Sequence, residues 1–400
     1  SPELDHRYGG DLKGITQKIA DYIQANIQAD ALYMNPIWKT NQQAGYGGLD
    51  YNQIEGALGN EQDLIDLIAC AHDNGMKVML DAVLNYVDKN GNWMNESKLF
   101  PLEGAAQSID SLFARYFRFY KWPDIYRIDW NNPGLDFANK ETQEMAYTTP
   151  ESFLTRYLAA PYNADGWRFD VGFEIWGTDR TAAEIHKEIR PYIKSVNPEA
   201  LFLSENGYGE MMTDYTLDAR WNFDLMHTIR SWINGLTMQD GLANALSENT
   251  AELPRPVALS SHIYYENHDF LRLYGNTQPN KHMVEAGQLL IMTYLGSPCV
   301  YYGSETGLLS SHAFSSFDWD ESAWDYDFLQ RQRALGALRK EYSAVRTGVI
   351  KHIKVDNTQE IFSYGRWDQK GTVVTVLNQK NATQQVELDV RQCSVADGDV

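Results

Sequence analysis

Residues 60–85 read NEQDLIDLIACAHDNGMKVMLDAVLN, and this run decides the fold. Asn60 is placed to cap a helix, and Glu61 and Asp63 put acids in its first turn, where the helix dipole favours negative charge. Leu64, Leu67, Ile68 and Ala71 recur at helical spacing, and Gly75 ends the helix. Lys77–Asp81 follows as a short β-rich apolar run that finishes on a carboxylate. A helix feeding directly into an apolar strand is one step of a parallel α/β array.

The same alternation extends in both directions. Further strands are expected at Ala31–Met34, Gly166–Asp170, Leu201–Ser204, Arg220–Phe223, Leu259–Tyr264 and Pro298–Tyr302. A second helix, Ala182–Ser195, carries Ile185, Ile189 and Ile193 on one stripe. Most strand-to-strand intervals are roughly 20–40 residues, the length of one βα repeat, so the fold class is α/β and the architecture a (β/α)8 TIM barrel. The strands number seven; the eighth, barrel strand 1, would precede Tyr8, and both chain ends are expected to be clipped. The interval from Asp81 to Gly166 is too long for one repeat. Its aromatic, Pro- and Asn-rich texture (Lys121-Trp-Pro-Asp-Ile-Tyr, Trp130-Asn-Asn-Pro-Gly) reads as a small subdomain inserted after strand 3. Residues 1–86 and 148–342 are thus expected to build the barrel and 87–147 the insertion. Residues 343–400, with alternating runs at Ile361–Tyr364 and Thr372–Leu377, are expected to form a C-terminal antiparallel β domain.

Composition excludes some classes of function. The net charge of −20 opposes a nucleic-acid partner, which would require a basic surface. No segment approaches the roughly 18 consecutive apolar residues of a membrane span. Ser1-Pro-Glu-Leu-Asp-His-Arg has neither a basic start nor an apolar run, so it reads as no signal peptide, and the compartment stays open. The 24 Tyr and 11 Trp supply faces on which sugars stack, although most such rings pack in cores. Cys70, Cys299 and Cys393, odd in number and scattered in apolar settings, read as free thiols.

The polar residues with chemical potential lie where strands end, the face on which barrel active sites are built. Asp81 and Asn85 end one strand, Arg168 and Asp170 the next; Glu205 follows Leu201-Phe-Leu-Ser, and Asn267, His268 and Asp269 follow Ile263-Tyr-Tyr. Glycosidic hydrolysis requires two carboxyl groups, one ionised to attack the anomeric carbon and one protonated to release the leaving oxygen. Arg168 and Asp170 are two apart on a strand, so their side chains point the same way, and the guanidinium would favour an ionised carboxylate.

These residues and their order resemble the α-amylase family of glycoside hydrolases (family 13), and within it the neopullulanase and cyclomaltodextrinase branch. The resemblance rests on Asp5-His-Arg-Tyr-Gly-Gly-Asp-Leu-Lys-Gly-Ile, Gly45-Tyr-Gly, Asp50-Tyr, Ala57-Leu-Gly, residues 71–85, Gly166-Trp-Arg-Phe-Asp170-Val, Ser204-Glu205, Glu266-Asn-His-Asp269 and Tyr301-Tyr-Gly-Ser-Glu. It implies a retaining hydrolase of α-glucosidic bonds in maltooligosaccharides, cyclodextrins, pullulan or starch. Asp170 is then the nucleophile, Glu205 the acid/base, and Asp269 the carboxylate gripping the distorted sugar. Arg168 orients Asp170, Asp81 and His268 contact the same sugar, and Tyr46 stacks on it. Arg272 and Glu174 match further subsite positions.

The chemistry implies no cofactor. A structural calcium in some relatives corresponds to Asp11 with Gly9, as half a site. Asp88-Lys-Asn-Gly-Asn92 has some look of a calcium loop but lacks a following bidentate Glu, and reads as a turn. Two positions depart from the family pattern: Asn85-Tyr86 stands for Asn-His, and Tyr46-Gly47 for Tyr-Asp. A transglycosylase with the same residues is the first alternative. A non-catalytic binding protein is the second, and it would be expected to have lost carboxylates that this chain keeps. The oligomeric state does not follow from the sequence.

Overall fold

The helix at residues 61–73 forms for the reasons its sequence displays. In the computed structural model, which describes residues 10–128, 131–277, 279–310 and 314–395, the Asn60 side chain accepts from the backbone N–H groups of Gln62 and Asp63. Asp63 reciprocates by accepting from Asn60 N, closing a capping box. Leu64, Leu67, Ile68 and Ala71 are buried, and Gly75 takes the left-handed φ of +72° that stops the helix. The helix Ala182–Val196 repeats the device with Thr181 and Glu184, and buries Ile185, Ile189 and Ile193 completely.

Chain contacts divide the molecule into two units, Ser1–Asp21 with Ala29–Arg220, and Tyr22–Gln28 with Trp221–Val400. The first holds a five-stranded parallel sheet in the order Ala31–Tyr33, Lys77–Ala82, Gly166–Phe169, Leu201–Ser204, Ala219–Arg220. Strand order follows chain order, as successive βα units require. Asp81 pairs in register with Arg168, and Ser204 with Phe169, which sets the polar strand ends at matching heights. Residues between Ala82 and Gly166 carry two short antiparallel ladders, Phe119–Lys121 with Asp124–Ile125 and Arg127–Ile128 with Asn132–Pro133. A bridge from Tyr86 to Gly134 ties this excursion back to the end of the Lys77–Ala82 strand.

The second unit contains the parallel pair His262–Ile263 and Ser297–Pro298, and an antiparallel sheet of Val349–Asp356, Ile361–Asp368 and Gly371–Asn378. Ile361 through Arg366, in the middle strand, are buried. Tyr364 is held by Thr293 at 2.7 Å, from the helix Lys281–Thr293.

The barrel strands are seven among the described residues, and the eighth expected before Tyr8 lies outside them. Three are cut to two residues, well short of their apolar runs. Ladder pairing after Ala219–Arg220 stops because Asn222 turns to cap the helix Phe223–Ile233, accepting from Leu225 N at 3.0 Å. Residues 255–260 form a helix, so only His262–Ile263 remains of the Leu259–Tyr264 run. The last strand is Ser297–Pro298; downstream, Gly303 at φ +87° opens the helical turn Ser304–Thr306. Short apolar runs do not distinguish strand from buried helix by periodicity, and here turn and capping chemistry arbitrates. Cys70, Cys299 and Cys393 are free thiols. No described helix is long and apolar enough to cross a membrane.

Candidate active site

Parallel register brings the carboxylates of the first unit together. Asp81 and Arg168 are cross-strand partners, and Asp170 lies two residues beyond Arg168 on the same face. Asp170 N still donates to Ala82 O at 3.0 Å, and Glu205 N to Phe169 O at 3.0 Å, so backbone pairing continues onto both acids. Arg168, fully buried, is the hub. Its Nη1 donates to Asp170 Oδ1 at 2.7 Å and Asp81 Oδ2 at 2.9 Å, and its Nη2 donates to Glu205 Oε2.

Two tyrosines complete the hub. Tyr33 donates to Asp81 Oδ2 at 2.5 Å and Tyr46 donates to the same oxygen at 2.8 Å, while Tyr46 accepts from Arg168 at 3.1 Å. Asp81 Oδ1 is buried and has no hydrogen-bond partner among the described residues. One fully buried guanidinium therefore faces three carboxyl groups, of which Asp81 is fully buried and Asp170 and Glu205 keep a small exposed face. Burial pushes Asp170 and Asp81 above the ordinary carboxylate range, with Arg168 pulling the other way. Burial likewise raises Tyr33 and Tyr46, which stay neutral donors.

Glu174 is exposed, at the end of the short helical turn that follows Asp170. In the second unit, Asn267 donates to Asp269 Oδ2 at 2.8 Å and accepts from Asp269 N at 3.1 Å, which orients an exposed carboxylate. His268 is buried, with Nε2 3.4 Å from Asp269 Oδ1. Arg272 is buried against the faces of Tyr301 and Tyr302, at 4.2 and 4.5 Å, and lies 3.8 Å from Glu266 Oε2.

Asp11 caps the helix Leu12–Lys18, accepting from Gly14 N at 2.6 Å, while Gly9 lies outside the described residues. Calcium takes six to eight oxygens, and no group of three or more metal-ligating side chains occurs among the described residues, so these do not by themselves fit the ion. Asp88 forms a turn: its carboxylate accepts from Asn90 N at 2.7 Å, and Gly91 N returns to Asp88 O at 2.8 Å. The two departures have structural counterparts. Tyr86 is buried, with 1% of its surface exposed. Gly47 sits against Gln42, whose amide donates to Asp88 Oδ2 at 3.0 Å.

Tyr33 was not legible as a site residue, although it ends a barrel strand, the same signal that singled out Asp81. Gln42 carries no such signal.

The family model described as alpha amylase, catalytic domain, matches residues 3–347. A cyclomaltodextrinase of Bacillus sp is 25% identical over 94% of this chain and 66% of its own length. Neopullulanase 2 of Thermoactinomyces vulgaris is 25% identical over 97% and 66%. The chain thus spans 66% of the length of each of these two curated relatives. Among solved structures, a debranching enzyme from Nostoc punctiforme superposes with a TM-score of 0.83 at 24% identity, covering 99% of this chain and 84% of that one. A cyclomaltodextrinase gives 0.79 at 23% identity, over 92% and 63%. Those likenesses carry the barrel fold, and the family match over residues 3–347 carries the membership: this chain belongs to the alpha-amylase family.

Proposed function

We propose that this protein hydrolyses α-glucosidic bonds in maltooligosaccharides or related α-glucans, with retention of anomeric configuration. The observation that carries the reading is the sharing of one buried guanidinium by Asp170, Asp81 and Glu205. Asp170 and Glu205 accept from the two terminal nitrogens of one guanidinium and so are close neighbours, as a retaining pair requires, whereas inverting pairs stand apart to admit a water. The spacing supports a double displacement.

In this reading Asp170, held by Arg168, attacks the anomeric carbon, and Glu205, on the other terminal nitrogen of the same guanidinium, is the proton donor. Glu205 gives its proton to the leaving oxygen as the bond breaks, then accepts one from the water that frees the sugar. Asp81 presents Oδ1 to a sugar hydroxyl, an interaction favoured because a buried acceptor without a partner is costly. Tyr46 contributes an aromatic face beside Arg168. Asp269, His268 and Arg272 bind sugar hydroxyls, and Glu174 lies toward the neighbouring subsite. The relatives named cyclomaltodextrinase and neopullulanase support α-glucans as substrates.

The test is digestion of maltotriose, cyclodextrin, pullulan and isomaltose, with the first-formed anomer followed by proton NMR. Release of the α anomer from at least one α-1,4 substrate is expected. Initial β product, or no release from any member of the panel, overturns the reading. Dominant transfer to sugar acceptors would reassign the second half-reaction and leave the first intact.

A further inference from the structure

Val171, the residue after Asp170, has φ +43° and ψ 38°, a left-handed conformation that a β-branched side chain rarely adopts. Its consequence is an N–H aimed at Glu205 Oε2, 3.1 Å away. The turn is held from several sides. Val171 O accepts from Asn85 Nδ2 at 3.1 Å and from Glu174 N at 2.8 Å. Gly172 O lies 2.7 Å from Nε2 of His186, which sits on the helix Ala182–Val196.

A carbonyl only accepts, so the His186 ring is in its Nε2–H tautomer. His186 is fully buried, its Nδ1 has no hydrogen-bond partner among the described residues, and its ring meets Phe169 edge-on at 4.8 Å. Gly172 admits no side chain without movement, because a Cβ there would stand 2.6 Å from Ser204 Oγ and 2.8 Å from Phe169 Cβ.

We infer that His186 is a positioning residue for Glu205: by holding Gly172 O it keeps the left-handed turn whose Val171 N–H orients the Glu205 carboxyl. The inference rests on Glu205 being the proton donor. Oε2 accepts from both Val171 N and Arg168 Nη2, so the transferable proton sits on Oε1. As the glycosidic C–O bond breaks, its electron pair stays on the leaving oxygen, which takes the Oε1 proton; the carboxylate left behind later removes a proton from water. A loosened turn leaves the acid present but misaimed.

Substrates with different needs for protonation separate this role from a merely structural one. Maltotriose needs the leaving oxygen protonated, whereas α-maltosyl fluoride, with its good leaving group, needs little acid assistance. His186→Phe keeps a ring against Phe169 and removes the donor. It should lower kcat/KM for maltotriose by about tenfold or more and for the fluoride by less than about threefold. His186→Gln, whose amide can donate to Gly172 O, should recover most of the maltotriose rate. If His186→Phe does not fold, Asn85→Ala, which removes the donor to Val171 O from the segment after the Lys77–Ala82 strand, should give the same selective loss. Losses equal for the two substrates, or an unchanged maltotriose rate, overturn the inference. Failure of the parent protein to cleave either substrate would instead overturn the hydrolase reading.

Discussion

The side chain of Gln42 fills the space that a side chain on residue 47 would need: a Cβ built on Gly47 would stand 2.4 Å from Gln42 Cδ. The same loop is tied by Thr40, which donates to Gly47 O at 2.9 Å and accepts from Gln42 N at 3.0 Å. Tyr46, between these ties, reaches Asp81 and Arg168. Gly47→Ala should therefore lower kcat/KM severalfold in the parent and much less in a Gln42→Ala background. Residues in contact couple by about 0.5–3 kcal/mol, so the double-mutant cycle should be non-additive. Additive effects would show that the two side chains do not compete.

Asp170→Asn should abolish turnover by several powers of ten while raising stability at neutral and alkaline pH. Burial raises the folded-state pKa of Asp170 above its unfolded value. Such a group stabilises the fold below its unfolded pKa of about 4, and that contribution is lost as pH rises through the higher folded value. Asparagine does not ionise, and Arg168 keeps Asp81 and Glu205 as partners. The melting temperature of Asp170→Asn relative to the parent should climb by a few degrees from about pH 4 to pH 8. A flat difference across melts at pH 4, 6 and 8 would refute the linkage.

His186 titrates in the opposite sense. Burial depresses it to about 4 from the ordinary 6.5, so it is neutral in the fold. A depressed pKa stabilises above the unfolded value, and that stability is lost as pH falls toward the folded one. Over the 2.5-unit window the loss is on the order of 3 kcal/mol. His186→Gln should flatten the acid limb of a denaturant-stability profile between about pH 6.5 and 4. An unchanged limb would mean that other groups govern acid unfolding.

Tyr33→Phe removes one of the three donors to Asp81 Oδ2 and leaves the ring in place. A hydrogen bond to a charged group is worth about 1.5–3 kcal/mol, so kcat/KM on a maltooligosaccharide should fall roughly ten- to hundredfold without loss of fold. Wild-type kinetics for this variant would return Tyr33 to a packing role.

The sequence by itself determined whatever depends on neighbours along the chain. The helix at residues 61–73 is written in its cap, its apolar spacing and its terminal glycine, all within reach of local hydrogen bonds. The pairing of Arg168 with Asp170 follows from the two-residue period of a strand. The roles read for Asp170, Glu205 and Asp269 came from motif order, which marks positions without revealing what holds them. Tertiary structure alone decided the supports. Tyr33 meets Asp81 across 48 residues, Gln42 meets Asp88 across 46, and His186 reaches Gly172 from the next helix. It also decided where the barrel strands stop, because Asn222 caps a helix within an apolar run that equally suits a strand. Local propensity is a free-energy difference of tenths of a kcal/mol per residue, whereas burying a charge or leaving a polar group unpaired costs whole kcal/mol. Costs of that size arise only once distant segments meet, and so the partners of Arg168, Glu205 and Gly172 were settled by the fold.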